Sequence, residues 1–165
     1  VETAARESLL RTAAELGPRL AAGVNAWYRE RARAEGLPLL RGGLLDIERR
    51  LRLIQFRYAF QDPRLLEPSP LKGLERLSRA GIVGPDVRLV LYRSYSYQWF
   101  LANRLSLLGG RSAQDWRDFG SGRLDRKLDL PGASTRAAAL IKESRAALAE
   151  LAHETRKEEA RAWGP

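Results

Sequence analysis

With 165 residues, the chain is long enough for one domain with a sizeable core. It has no cysteine and a single histidine, His153, which excludes disulfides and thiolate metal sites and leaves little for zinc. The net charge is +9, and 25 of the 29 basic residues are Arg; that bias follows from a GC-rich genome more readily than from a nucleic-acid surface.

No run of eighteen apolar residues is present, so no transmembrane helix is predicted, and no signal-peptide pattern is seen. The absence of cysteine fits a reducing compartment, and a cytoplasmic location is the expectation. The chain begins at Val1 and contains no Met, so it reads as a piece of a longer or processed polypeptide. Residues 1–165 are read as one helical-bundle domain.

In chain order, residues 2–16 and 18–35 are rich in Ala, Leu, Arg and Glu, all strong helix formers. Gly17-Pro18 between them predicts a kink or a restart. Gly36 and Pro38 end this segment. Trp27 and Tyr28 read as core or rim packing. Gly42 and Gly43 then break the chain, and a helix over about 44–60 follows. Leu44, Ile47, Leu51, Ile54 and Tyr58 form one apolar stripe, while Leu53, Phe56 and Phe60 fall nearly opposite. A helix apolar on two faces is covered on two faces, so this one is expected to be central.

Gln61-Asp62-Pro63 breaks the pattern. Ser69-Pro70 supplies an N-cap and an N1 proline for a short helix with Leu71, Leu74 and Leu77 inward, stopped near Gly81. Gly84-Pro85-Asp86 opens a long helix to Leu108. Its inner line is Val87, Leu91, Ser94, Gln98, Leu101, Leu105 and Leu108, apolar except at two central positions. Tyr92, Tyr95, Tyr97, Trp99 and Phe100 cluster here; core packing is the preferred reading over a stacking platform for bases. Gly109-Gly110 stops the helix, and Ser112-Ala-Gln-Asp115 resembles a capping box opening a short helix to Phe119. Residues 120–133 read as a loop. Ser134 or Thr135 caps the last helix, with Leu140, Ser144, Leu148, Leu151 and Thr155 inward and Arg136, Lys142, Glu143, Arg145, Glu150 and Glu154 outward. Residues 156–165 are highly charged and predicted to fray. The fold class is therefore all-α: an antiparallel bundle of five to six helices around a central helix at about 44–60.

Catalytic chemistry is hard to find. His153 lies on a polar helix end without a nucleophile nearby in sequence, and reads as a surface residue. Gly120-Ser-Gly with Asp125 and Asp129 looks at first like the Gly-Ser and Asp-x-Asp of polymerase-β-type nucleotidyltransferases. The two Asp are four apart, flank Arg126 and Lys127, and sit on no predicted strand, so a metal site is rejected. The polar positions of the central helix remain. Glu48 and Arg52 are placed to pair at i and i+4, with Gln55 on nearly the same side, and Asp46 near the helix start is favoured by the helix dipole.

Gly42-Gly-Leu-Leu-Asp-Ile-Glu48 resembles the Gly-Gly-Ile-Arg-Asp/Glu-Ile/Val-Glu-Phe segment of glutamine synthetase adenylyltransferases. Leu65 to Val83 is similar to the same family's leucine-rich helix and Ala-Gly-Leu-Leu connection. Tyr95 and Asn103 sit where that family's next long helix has Tyr and Asn, followed by Leu105. The resemblance covers about residues 20–110. It implies a helical domain that follows a nucleotidyltransferase domain, related to the helical domain of the PII uridylyltransferases. The family transfers AMP from ATP to a tyrosine of glutamine synthetase, or removes it, in nitrogen regulation. Magnesium, ATP and the catalytic aspartates would belong to the attached domain, with no cofactor in this chain. Glutamine synthetase and a PII-type signal protein are the implied partners.

The residues expected to face the active site are those at the glycine-opened start of the central helix. These are Gly42, Gly43, Asp46 and Glu48, with Arg49 and Arg52 able to meet phosphate or a protein acid. No residue of this chain is expected to be catalytic. The departures are Leu45, Arg49, Arg52, Trp99 and Ala102, where the family has Arg, Phe, Gln, Arg and Glu. Joint loss of Arg and Glu on two helices suggests a polar pair replaced by packing, which predicts Leu45, Trp99 and Ala102 close together. The rival readings are an Arg-rich nucleic-acid-binding module and a protein-interaction bundle.

Overall fold

The computed structural model describes residues 2–34, 40–108 and 122–162, with side-chain surroundings for 17–34, 40–108 and 122–153. It is all-helical, with six α-helices and no strand among the described residues. They are α1 (Glu2–Ala34), α2 (Leu44–Tyr58), α3 (Pro70–Arg79), α4 (Pro85–Leu107), α5 (Arg123–Leu128) and α6 (Ala133–Ala162). A 3-10 turn, Pro63–Leu65, joins α2 to α3.

α1 runs unbroken through Gly17-Pro18, where a kink or restart was predicted. The proline φ suits a helix, and what Pro18 removes is one backbone donor. The predicted stops at Gly36 and Pro38 lie outside the described residues. So do the stop at Gly109-Gly110, the capping box at Ser112–Asp115 and the short helix to Phe119.

α2 packs against α1, α3, α4 and α6. Its Leu44, Ile47, Leu51 and Ile54 join Leu74, Leu77, Leu91, Leu148 and Leu151 in the main core. Burial of each such side chain is worth about 1.5–3 kcal/mol. The second face of α2 meets α1: Leu45 packs with Val24 and Tyr28, flanked by Leu53 and Phe56. Phe60 is exposed, because α2 ends at Tyr58 and the chain turns before Phe60 can reach either core. A third cluster joins Leu101 and Leu105 of α4 to Leu124, Leu128, Ala133 and Ala137.

Three end signals differ from expectation. Ser69 occupies the N-cap of α3, but its side chain makes no capping bond; instead its backbone N–H donates to Glu67 Oε1 at 3.1 Å. The stretch read as a loop over 120–133 contains α5. And α6 is capped neither by Ser134 nor by Thr135. Asp125 of α5 does it from a distance, accepting the Gly132 N–H at 2.8 Å and the Ser134 N–H at 2.7 Å. The Ser134 side chain first, then the Ser134 and Gly132 backbone N–H groups, hold its carboxyl below the usual carboxylate range. The described backbone is helical to Ala162, beyond the point at 156 where fraying was predicted.

α4 fits its inner line at Val87, Leu91, Ser94, Gln98, Leu101 and Leu105, all buried; Leu108 is exposed, because it lies one residue past the helix. Of its aromatics only Tyr95 is buried. Tyr92, Trp99 and Phe100 are exposed, contrary to the core reading, because they lie on the side of α4 opposite the inner line.

Candidate functional site

Of the six residues singled out by sequence, Gly42, Gly43, Asp46, Glu48 and Arg49 lie at the entry to α2 and Arg52 farther along it, and their polar groups fall into separate arrangements. The first is built on Gly42. Its φ is +79°, in the left-handed region that glycine enters freely. A Cβ there would overlap the Ile141 carbonyl oxygen and lie 2.9 Å from Arg145 N and 3.0 Å from Ser144 Oγ. The backbone of α6 therefore approaches to a distance only glycine permits.

Both backbone groups of Gly42 are engaged. Its N–H donates to Asp46 Oδ2 at 2.9 Å, four residues ahead. Its carbonyl accepts from Gln98 Nε2 of α4 at 3.2 Å and from Ser144 Oγ of α6 at 2.6 Å. Gln98 Nε2 also reaches Ser94 Oγ at 2.9 Å, and Ser94 donates to the Leu140 carbonyl at 3.1 Å. Gln98 of α4 and Ser144 of α6 thus meet at one turn, and Ser94 ties Gln98 to α6. Asp46 Oδ1 takes Arg49 at 2.6 Å, and Arg49 reaches across to Asn25 of α1 at 2.7 Å.

The second arrangement centres on Glu48, which is 6% exposed. Its Oε1 accepts from the Tyr95 hydroxyl at 2.7 Å, and its Oε2 pairs with Arg31 of α1. Arg52 is not its partner, although the i,i+4 spacing allowed it. Arg52 instead donates to Gln55 Oε1 at 2.9 Å and to the carbonyls of Glu67 and Pro68, each at 3.1 Å. Gln55 Nε2 joins the Glu67 carbonyl at 3.2 Å. The Tyr95 phenol is pushed far up, by burial first and then by the charge of Glu48 and its hydrogen bond. Tyr28, beside the same carboxylate, is pushed up to about 12, again by burial first and Glu48 second, with Arg52 and Arg31 opposing.

Sequence reasoning missed Arg31, Asn25 and Ser144 as members of this network. Arg31 and Asn25 sit on a helix whose apolar pattern gave no inward face to read. The loss of a polar pair, inferred from Leu45, Trp99 and Ala102, does not hold. Leu45 is buried against α1, Ala102 lies partly buried at the junction of two clusters, and Trp99 is 54% exposed.

No family profile, curated protein or solved structure matches the chain.

Chemically, both carboxylates of the motif are committed. Asp46 serves a backbone amide and two arginines, and Glu48 serves a phenol and a guanidinium. Neither has a free face for a metal ion, and among the described residues no three Asp, Glu or His side chains converge as ligands. Asp125 and Asp129 do not converge either, since Asp125 caps α6 and Asp129 turns the chain at φ +48°. His153 is exposed. A cleft of about 160 Å³ opens between α2 and α6 over Ile54, Leu148 and Leu151, with Arg50 and Arg57 among its walls. No helix among the described residues is long and apolar enough to cross a membrane.

Proposed function

We propose that this chain is the helical domain of a glutamine synthetase adenylyltransferase-like protein. In this reading it is an antiparallel bundle arranged around α2 that supports a nucleotidyltransferase domain in the same polypeptide. It contacts protein partners, glutamine synthetase and a PII-type signal protein among them, in the cytoplasm. It is not catalytic alone.

The observation that carries the reading is the contact between Glu48 and Tyr95, 47 residues apart. Both are positions through which the sequence resembles the family, in two different segments. That they hydrogen-bond across the bundle supports a shared architectural role for the motif. So does Gly42, whose conformation, close approach to α6 and bond to Asp46 give the Gly-Gly-x-x-Asp pattern a structural purpose. Since the motif carboxylates are already paired, magnesium and ATP belong in this proposal to the attached domain, where the metal would neutralise the phosphates during AMP transfer.

The test is to read the coding sequence adjoining this segment and then assay the whole polypeptide. The expected result is a Gly-Ser followed by Asp-x-Asp on a strand, and magnesium-dependent transfer of labelled AMP to a tyrosine of glutamine synthetase, or its removal. Adjoining sequence without those carboxylates, or a whole polypeptide inert in both directions, refutes the proposal.

A further inference from the structure

α4 carries a second apolar face. Leu89, Tyr92, Trp99, Phe100 and Leu107 recur at spacings of three and four, interrupted only by Ser96 and Asn103. The stripe runs about 27 Å along the helix. It lies opposite the buried line of Leu91, Gln98 and Leu105, and it is bare: Trp99 is 54% exposed and Leu107 87%. α2 shows how this chain treats a helix apolar on two sides, since one face meets the main core and the other is covered by α1. On α4 the five corresponding side chains are exposed, and no described helix is shown packed on them.

We propose that the outer face of α4 docks an acidic amphipathic helix presented by another protein. Charge decides the occupant. Arg88 and Arg93 flank the stripe, one on each side, and neither has an ion-pair partner among the described residues. The one acid of α4, Asp86, sits in its first turn. A helix with its own apolar stripe and flanking carboxylates pairs both arginines while covering the rings. The same face of a second copy carries no acid beyond Asp86 in its first turn, and the copy brings another +9. A nucleic acid would use the rings and arginines, but leucines form both ends of the stripe and offer no plane for stacking. Exposed Trp, Tyr and Arg in one patch have the composition of an interface centre. The inference does not rest on the resemblance to adenylyltransferases.

The experiment uses the 165-residue chain and two labelled helical peptides with one leucine stripe, flanked in one by Glu and in the other by Lys. Binding is read by fluorescence anisotropy. The Glu peptide should bind about tenfold more tightly than the Lys peptide, and R88E/R93E should reverse that order. W99A/L107S should weaken the Glu peptide about tenfold or more, with helicity by circular dichroism unchanged. Four results overturn the proposal: no binding of the Glu peptide up to 1 mM, equal binding of the two peptides, self-association by sedimentation that W99A/L107S abolishes, or tighter binding of a labelled oligonucleotide that W99A/L107S abolishes. Absence of AMP-transfer activity in the full polypeptide would leave this result standing, so the two proposals fail separately.

Discussion

Replacing Gly42 by alanine should unfold this protein more readily than any other glycine substitution in the described chain. Two penalties add at that position. A residue with a Cβ at φ +79° loses about 1–2 kcal/mol to left-handed strain. The new methyl also meets backbone of α6, at Ile141 and Arg145, which cannot swing aside as a side-chain tip can, and overpacking of that kind costs about 1–3 kcal/mol. The sum is about 2–5 kcal/mol, before any loss from the Gln98 and Ser144 bonds to the Gly42 carbonyl. With a urea dependence near 2 kcal/mol/M, the unfolding midpoint falls by roughly 1–2.5 M. Gly81→Ala is the control, since Gly81 has φ +75° but open space around it, and it should lose only the strain component. Urea titration followed by circular dichroism at 222 nm compares the two. If Gly42→Ala loses no more than Gly81→Ala, the close approach of α6 to the turn is wrong.

Tyr95→Phe should cost about 1–2 kcal/mol by leaving Glu48 Oε1 short of a donor. Glu48→Gln should cost about 1–3 kcal/mol, at the lower end of buried-pair losses because the Arg31 side chain is 27% exposed and reaches solvent. In a double-mutant cycle the combined loss should be smaller than the sum, and strict additivity would falsify the shared bond. At alkaline pH, the raised phenols of Tyr28 and Tyr95 give stability that is fully present below pH about 10, the unfolded value. It is lost as pH rises toward 12 and above, by up to about 1.4 kcal/mol per unit for each tyrosine. Urea midpoints between pH 9 and 12 should therefore drop steeply, and Tyr28→Phe should shallow the drop; a flat profile contradicts the buried phenol–carboxylate contact. On the acid side, the depressed Asp125 contributes stability that is present above pH about 4 and disappears as pH falls through its folded value. Amide exchange at the start of α6 should quicken in that window, and the pH dependence should vanish in Asp125→Ala.

The inner faces of the helices were legible because periodicity specifies which residues share a side. The line of Leu44, Ile47, Leu51 and Ile54 and the line of Val87 to Leu105 are both buried as the spacing requires. Even the polar interruptions, Ser94 and Gln98, were visible as anomalies in an apolar stripe. Their purpose was not, because the Gly42 carbonyl that Gln98 meets lies 56 residues away. The same limit explains Glu48. Local spacing offered Arg52, while the fold supplied Arg31 and Tyr95 from other helices. The outward aromatics of α4 show the converse. Aromatic content marks a residue as worth covering, but nothing local says whether the chain itself provides the cover. α5 was hidden by its flanking glycines and Pro131, which advertise turns over a stretch that still fits six helical residues.

The turn at Gly42 has a kinetic consequence. It draws on Gln98 and on Ser144, the latter 102 residues along the chain, so its bonds close only after α4 and α6 have both arrived. α2, α3 and α4, joined by short connections, can pack earlier through contacts much closer in sequence. Perturbing Ser144 should then leave the refolding rate nearly unchanged and raise the unfolding rate by almost the whole stability loss. A single glycine carbonyl would act as the latch whose release sets how long the folded molecule lasts.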